Sequence, residues 1–133
     1  NAVKGVEIGM GFESAGHLGS AVHDEIGWDG KKYFRYSNNA GGIEGGMSNA
    51  QPILIRTVMK PIPTLIKPLR SVDIVSKEDK LAHKERTDSC SVPAASIVAE
   101  AMLCLVLADA LLEKFGGDTI DQLKAHIQAS GRY

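Results

Sequence analysis

Residues 38–52, NNAGGIEGGMSNAQP, place four glycines within six positions. Turns that need positive φ are one reason for such a composition. A second reason is chemical, because a backbone without side chains approaches a flat or anionic ligand closely. GGIEGG has neither the GxGxxG spacing of dinucleotide sites nor the GK[ST] ending of a P-loop. Both explanations of this glycine segment therefore stay open on composition alone.

Lys60 and Thr64 bracket the segment KPIPT, in which Pro61 and Pro63 restrict the backbone. An ammonium group and a hydroxyl held in this way suit a phosphate. Basic residues outnumber acidic ones by eight to four between Arg56 and Arg86. The alternative interpretation is that these are solvated surface charges.

Arg86 and Asp88 lie two positions apart in KERTDSC. An aspartate near an arginine stays ionised and can accept a proton or orient a base, whereas a plain surface ion pair is the alternative. The four histidines show no metal-ligand spacing, so no metal is predicted. Cys90 and Cys104 lack a CxxC spacing, and we interpret them as free thiols of a reducing cytosol.

The elements that must position these residues predict an α+β fold, with strands and a hairpin first and helices last. Alternating apolar residues indicate strands over 6–12 and 53–59, and 72–75 is a short candidate. Asp29-Gly30 predicts a tight hairpin between two further strands. Residues 60–68 carry three prolines and are expected to be extended and irregular.

The C-terminal third predicts two helices. Residues 93–115 are so apolar that a long, mostly buried helix is expected, with Pro93 in its first turn and Gly116-Gly117 at its end. Asp118 is expected to cap a second, amphipathic helix that runs to Ala129. Ser76 with Asp79 resembles a helix N-cap and its acidic partner, which predicts a short helical turn there.

The totals suit one globular domain of 133 residues, with 44% apolar and 23% charged residues. Such a chain is expected to bury about two thirds of its unfolded surface. The net charge of −1 argues against a nucleic-acid binder. The sequence has no run of about 18 uncharged apolar residues, so no membrane span is expected. It begins at Asn1 without a signal-peptide pattern, and we expect it to be cut from something longer.

Four stretches together resemble chorismate synthase: NAVKGVEIGMGF, NNAGGIEGGMSNAQPI, MKPIPTL and KERTDSCSVPAASIVAEAMLCLVLAD. Their order and spacing are similar to the C-terminal portion of that family, from Asn1 to about Asp118. The resemblance implies that residues 1–133 are the C-terminal portion of a single domain, part of a β-α-β sandwich particular to the family. It also implies a cytoplasmic homotetramer.

The resemblance further implies a shikimate-pathway lyase that converts 5-enolpyruvylshikimate 3-phosphate to chorismate and phosphate with reduced FMN. Matching positions imply flavin contacts at Asn1, Ala2 and Gly45. They imply that Lys60, Pro61, Ile62, Pro63 and Thr64 hold the flavin, with Lys60 and Thr64 suited to its phosphate. Arg86 matches an arginine at the flavin–substrate junction, and Asp88 matches an aspartate implicated in proton transfer at the flavin.

One departure is that many family members have GRHDP where this chain has ERTDS at 85–89. The family's catalytic histidines and most of its substrate-binding arginines belong to its upstream part, so these 133 residues alone are expected to be inactive. Two alternatives stay open. One is a non-catalytic core or assembly fragment, and the other is a phosphate- or nucleotide-binding module of another family.

Overall fold

A computed structural model describes residues 2–84 and 90–131 of the chain. Strands come first and the two long helices last, so the predicted α+β class is confirmed. The chain divides into two compact units, Asn1–Pro63 and Thr64–Tyr133. The strands are β1 Val3–Ile8, β2 Ile26–Trp28, β3 Tyr33–Arg35, β4 Ile43–Glu44, β5 Met47–Ser48, β6 Ile55–Met59, β7 Arg70–Val72 and β8 Asp79–Leu81. The helices are a 3-10 helix Gly11–Gly16, α1 Gly19–Val22, α2 Val92–Phe115 and α3 Ile120–Ala129.

The first unit is organised by an antiparallel ribbon of β1 and β6, paired from Val3↔Met59 to Ile8↔Ile55. The predicted strand over 6–12 is wrong beyond Ile8. Gly9 and Gly11 both have φ +60, so the chain leaves the strand and Phe12 enters the 3-10 helix. Alternation of apolar residues continues in the sequence, but positive φ at these glycines ends the strand.

Two hairpins complete this unit. The predicted hairpin at Asp29-Gly30 is confirmed, with β2 pairing β3, but its loop is four residues long. The Asp29 carboxylate accepts the backbone N–H groups of Lys31 and Lys32, both at 2.8 Å. Strands β4 and β5 form the second hairpin, inside the glycine segment.

The second unit begins with the hairpin of β7 and β8. The helical turn predicted after Ser76 is wrong, because Asp79 opens strand β8. The Asp73 carboxylate instead accepts the N–H groups of Val75 and Ser76 and closes a turn in which Lys77 has φ +64. Residues 60–69 hold no helix or strand, as the prolines predicted.

Helices α2 and α3 lie where the sequence predicted them. Pro93 occupies the first turn of α2, and Gly116, with φ +60, ends it. The cap of α3 is Thr119 rather than Asp118. Its hydroxyl accepts the Gln122 N–H, and the Gln122 side chain accepts the Thr119 N–H, which together form a capping box.

Burial is much lower than expected. The chain exposes 11269 Å², whereas a folded monomer of 14.2 kDa exposes about 6800 Å² and two separate domains of half that mass about 8200 Å². Within the described residues Leu123 is the buried hydrophobic side chain, and no residue of α2 is buried. The predictions of a two-thirds buried surface and a mostly buried helix are therefore wrong for this chain by itself.

Candidate functional site

Two of the residues predicted to bind a cofactor lie side by side although 58 positions separate them in the sequence. The β1–β6 ribbon ends with the backbone N–H of Lys60 donating to the Ala2 carbonyl at 2.7 Å. Ribbon pairing is the reason, since Val3 faces Met59 in the last registered pair. Ala2 and Lys60 therefore mark one end of the ribbon.

The Lys60 side chain is exposed, and in the part of the chain covering 2–84 and 90–131 it forms no ion pair. Pro61, Ile62 and Pro63 follow without regular structure. Thr64, half-buried, is the first residue of the second unit. An exposed ammonium before a proline-restricted backbone is chemically suited to an anion such as a phosphate monoester.

The opposite end of the ribbon holds the glycine segment. Gly9 N–H donates to the Leu54 carbonyl at 2.9 Å, and Met10 N–H donates to the Asn39 carbonyl at 2.7 Å. The registered pairs span five strand intervals, about 17 Å. Backbone hydrogen bonds thus fix the glycine segment onto one end of the ribbon, while Ala2 and Lys60 occupy the other.

Gly41 and Gly42 are buried and cross other backbone closely. A Cβ on Gly41 would lie 2.3 Å from the Gly9 nitrogen, and a Cβ on Gly42 would lie 2.6 Å from the Pro52 carbonyl oxygen. Their φ values are +64 and +81. Internal packing therefore requires glycine at these two positions. This requirement explains Gly41 and Gly42 without a ligand.

Gly45 and Gly46 differ from that pair. They form the two-residue turn between β4 and β5, with φ +58 and +77, as a type I′ hairpin requires. Both are exposed, and a Cβ on either would meet no described atom within 4 Å. Their turn explains the positive φ, and the open space in front of them leaves the backbone accessible to a ligand.

Asp24, between α1 and β2, is the buried charged side chain of the described residues, exposing 8% of its surface. Its Oδ1 accepts from the Ser37 hydroxyl at 2.5 Å and the Asn39 N–H at 2.7 Å, and its Oδ2 accepts from the Ala40 N–H at 2.9 Å. Burial raises the pKa of this carboxyl, but those hydrogen bonds and the charge of Arg35 outweigh it and hold the pKa below the ordinary value. Asp24 is therefore ionised at neutral pH.

Other polar contacts continue this network. Asn38 bonds the Pro52 carbonyl and the Gly42 N–H, both at 2.9 Å. Arg35 pairs with Glu44 on strand β4, and Glu44 accepts from the Asn49 amide at 2.9 Å. Asp24, Arg35 and Glu44 were not predicted as site residues. The sequence carries no local signal for Asp24, because two of its three donors are the backbone N–H groups of Asn39 and Ala40, which other residue types would also supply.

Three predicted site residues, Asn1, Arg86 and Asp88, lie outside the described residues. Their predicted roles stay predictions. Among the residues that the structure does describe, no group of three or more His, Cys, Asp or Glu side chains could hold a metal ion. Cys90 and Cys104 are both free and exposed.

Helix α2 is long and apolar enough to cross a membrane by length and composition, a test that the core helix of a soluble protein also passes. Glu100 and Asp109 interrupt its apolar surface. Ala95, Ala99 and Leu103, spaced by four, are its half-buried residues before Phe115. The exposed large side chains of α2 are Val92, Ile97, Val98, Met102, Leu105, Val106, Leu107, Leu111 and Leu112.

Comparisons with known proteins agree with the fold and with the family resemblance of the sequence. The family model for chorismate synthase matches residues 1–112. A solved structure, "Crystal Structure of Chorismate Synthase", is similar with a TM-score of 0.73 and 50% identity, over 98% of this chain and 32% of that one. The fold is thus an α+β piece of that architecture, and the chain belongs to the chorismate synthase family.

Curated relatives carry the same description. Chorismate synthase of Aquifex aeolicus (strain VF5) is 64% identical over 96% of this chain and 32% of its own length. That of Geotalea uraniireducens (strain Rf4) is 57% identical, over 96% and 35%. Chorismate synthase 1 of Bacillus thuringiensis (strain Al Hakam) is 58% identical, over 100% and 34%. The chain spans about a third of the length of these relatives, and the alternative of a module from another family is excluded.

Proposed function

We propose that these residues belong to a chorismate synthase, a lyase that eliminates phosphate from 5-enolpyruvylshikimate 3-phosphate to give chorismate, with reduced FMN as cofactor. The 133 residues supply part of the flavin site. The observation that carries this proposal is the pairing of Ala2 with Lys60 at one end of the β1–β6 ribbon. Two family positions for flavin contact, far apart in sequence, become neighbours there.

The described residues fit such a cofactor. Lys60 offers an exposed ammonium without an ion-pair partner in 2–84 and 90–131, which suits the FMN phosphate. Pro61 and Pro63 restrict the backbone of that segment, which has no regular structure. The exposed Gly45 turn presents backbone without side chains to a planar ring. The family resemblance also implies that Thr64 contacts the phosphate.

The elimination needs a proton to leave one carbon of the substrate while the phosphate leaves another. When bound, reduced FMN would supply electron density for the departure of the phosphate without net oxidation. We assign Asp88 to hold or move a proton at the flavin and Arg86 to the flavin–substrate junction. An arginine guanidinium stabilises the charge on a phosphorylated substrate.

For the 133 residues alone, a second function has its own support. The chain exposes about 3000 Å² more than two self-contained domains of its total mass would, and α2 supplies much of its exposed apolar surface. These residues by themselves act as a core or assembly piece without catalysis. In the complete enzyme we propose a homotetramer, in which that apolar surface packs against further protein.

We propose a cytoplasmic location, which the two free, exposed thiols support because such thiols persist in a reducing compartment. Nucleic acid and membrane are not proposed as partners. The net charge of −1 gives no general attraction to phosphate backbones. The acidic residues Glu100 and Asp109 within α2 favour protein over lipid as its cover.

The experiment is a fluorescence titration of oxidised FMN in the presence of 5-enolpyruvylshikimate 3-phosphate. It uses the 133-residue chain and the longest chain from the same reading frame, followed by assay of chorismate once the flavin is reduced. We expect the longer chain alone to bind FMN and form chorismate. The proposal would be wrong if the longer chain did not bind FMN.

Lys60→Gln tests the phosphate contact in the longer chain, and Lys31→Gln is the matched control. Lys31 lies in the β2–β3 loop of the same unit and has no ion pair within the described residues. We expect K60Q to weaken FMN at least about tenfold, because it removes a charge-assisted contact. Equal affinities of K60Q and K31Q would remove Lys60 from the site.

A further inference from the structure

Asp24 has no part in the reaction proposed above, yet it is the most constrained charged group among the described residues. Its side chain exposes 8% and is surrounded by three hydrogen-bond donors. All three donors, from Ser37, Asn39 and Ala40, lie in the four residues that lead into Gly41. The Asp24 carboxylate therefore binds the residues that precede the glycine segment, and not residues adjacent to Asp24 in the sequence.

The segment that Asp24 fixes is connected onward to the exposed turn. Asn39, held by Asp24, accepts the Met10 N–H through its carbonyl and donates its amide to the Val22 carbonyl at 3.0 Å. Asn38, between the bound residues, accepts the Gly42 N–H, and Gly42 accepts the Asn49 N–H at 2.9 Å. These contacts lie on both sides of the β4–β5 hairpin whose tip is Gly45-Gly46.

A second set of contacts holds the same hairpin at its first strand, β4. Arg35 pairs with Glu44, next to Gly45, and the Arg35 guanidinium also donates to the Asp24 backbone carbonyl at 3.4 Å. The Arg35 side chain is largely buried, at 17% exposure. The tip itself has open space in front of it, so its direction depends on these anchors and not on contacts of its own.

We propose that Asp24 is a positioning residue for cofactor binding: its carboxylate fixes residues 37–40 and so sets the orientation of the Gly45-Gly46 turn toward the flavin. The flavin part of this inference rests on the proposed function. Asparagine is the sharpest probe, since its amide nitrogen would place a donor against one of the N–H donors or the hydroxyl. Such a replacement keeps the shape and removes both the charge and at least one hydrogen bond.

Asp24→Asn and Ser37→Ala are made in the longest chain from the same reading frame. Asp73→Asn is the matched control, because Asp73 accepts two backbone N–H groups and pairs with Lys80 in the β7–β8 hairpin. Two readouts are taken: the FMN dissociation constant, and amide hydrogen exchange over residues 38–48 against the β1–β6 ribbon. S37A keeps the carboxylate and removes one donor, so it remains informative if D24N does not fold.

We expect D24N to weaken FMN measurably, by up to about tenfold, because the effect on binding cannot exceed the free energy of the charge-assisted hydrogen bond that is lost. Exchange over 38–48 is expected to accelerate while the ribbon stays protected, with S37A changing both readouts less and D73N changing neither. Unchanged hydrogen exchange over residues 38–48 in D24N and S37A would show that Asp24 does not fix residues 37–40. Faster exchange with unchanged FMN affinity would overturn the positioning role. A wild-type chain that does not bind FMN would instead refute the proposed function, while the exchange data would still decide whether Asp24 fixes residues 37–40.

Discussion

In the glycine segment the backbone finds its partners within the first unit, whereas the apolar side chains of helix α2 remain exposed. Asp24, Asn38 and Gly9 satisfy the segment by hydrogen bonds and close backbone packing. Helix α2 has no buried residue although most of its residues are apolar. Polar contacts of a few residues are completed locally, whereas the described residues of this chain leave most of the 24-residue apolar helix exposed to water, where apolar surface is unfavourable.

The first and largest effect is expected at the closed part of the glycine segment. Gly41→Ala puts a Cβ 2.3 Å from the Gly9 nitrogen and forces alanine to a φ of +64. We expect a loss of about 3 kcal/mol or more in unfolding free energy, because backbone must move to relieve the contact. Urea denaturation of the longest chain measures it. Gly16→Ala, with no described atom within 4 Å of its Cβ, is the control. A loss below about 1 kcal/mol for G41A would contradict the observed packing.

The second effect separates the helix from the glycine segment. Leu105 is 64% exposed on α2. We expect Leu105→Ala to change the unfolding free energy of the 133-residue chain by less than about 0.5 kcal/mol, as at a surface site. In the longest chain, where we propose that further protein covers α2, the same change should cost about 2–5 kcal/mol. Small effects in both chains would mean that this face of α2 stays uncovered.

A third, smaller effect concerns pH. The folded pKa of Asp24 lies below its ordinary value, so its contribution to stability is complete above the unfolded pKa and is lost as pH falls through the folded pKa. We expect wild type to lose more unfolding free energy than Asp24→Asn between about pH 5 and about pH 2.5.

The comparison with D24N is needed because hydrogen bonds also lower the pKa of two other carboxyls, Asp29 through the Lys32 N–H and Asp73 through the Ser76 N–H. These two groups are present in both proteins and cancel in the difference. Identical pH profiles for wild type and D24N would show that Asp24 adds nothing to stability.

The smallest effect is expected at the open turn. Gly45→Asn keeps a residue that tolerates positive φ and gives the Asn-Gly pair that type I′ turns favour. With no described atom near the new Cβ, the unfolding free energy should change by less than about 0.5 kcal/mol. Melting curves of G45N beside those of G41A test whether the two glycine pairs differ as described. A loss as large as that of G41A would mean that both pairs are packed.

Sequence patterns predicted those elements whose signals are local. Pro93 and Gly116 bound α2 as expected, and Asp29-Gly30 marks a real hairpin. The failures came from competing local signals, since Ser76 and Asp79 fit a helix cap but serve a β-hairpin, where the Asp73 carboxylate takes the turn's N–H groups. Alternation beyond Ile8 was misleading because glycines with positive φ end the strand.

Site features that depend on long-range pairing were not predictable in this way. Asp24 and its donors are 13 to 16 positions apart, and only the folded backbone brings them together. The four glycines could be noticed, but not divided into a packed pair and an open pair. Burial of α2 could not be judged from its composition, because composition does not say which surface covers it.

The most direct test of the proposed flavin site is an FMN titration of the longest chain carrying Gly45→Asn. The wild-type chain and the Lys60→Gln variant are titrated for comparison. We expect G45N to have wild-type stability and to bind FMN at least about tenfold more weakly, because a side chain now occupies the space in front of the turn. Wild-type FMN affinity in a folded G45N protein would contradict this expectation, and would leave the turn without a role at the cofactor.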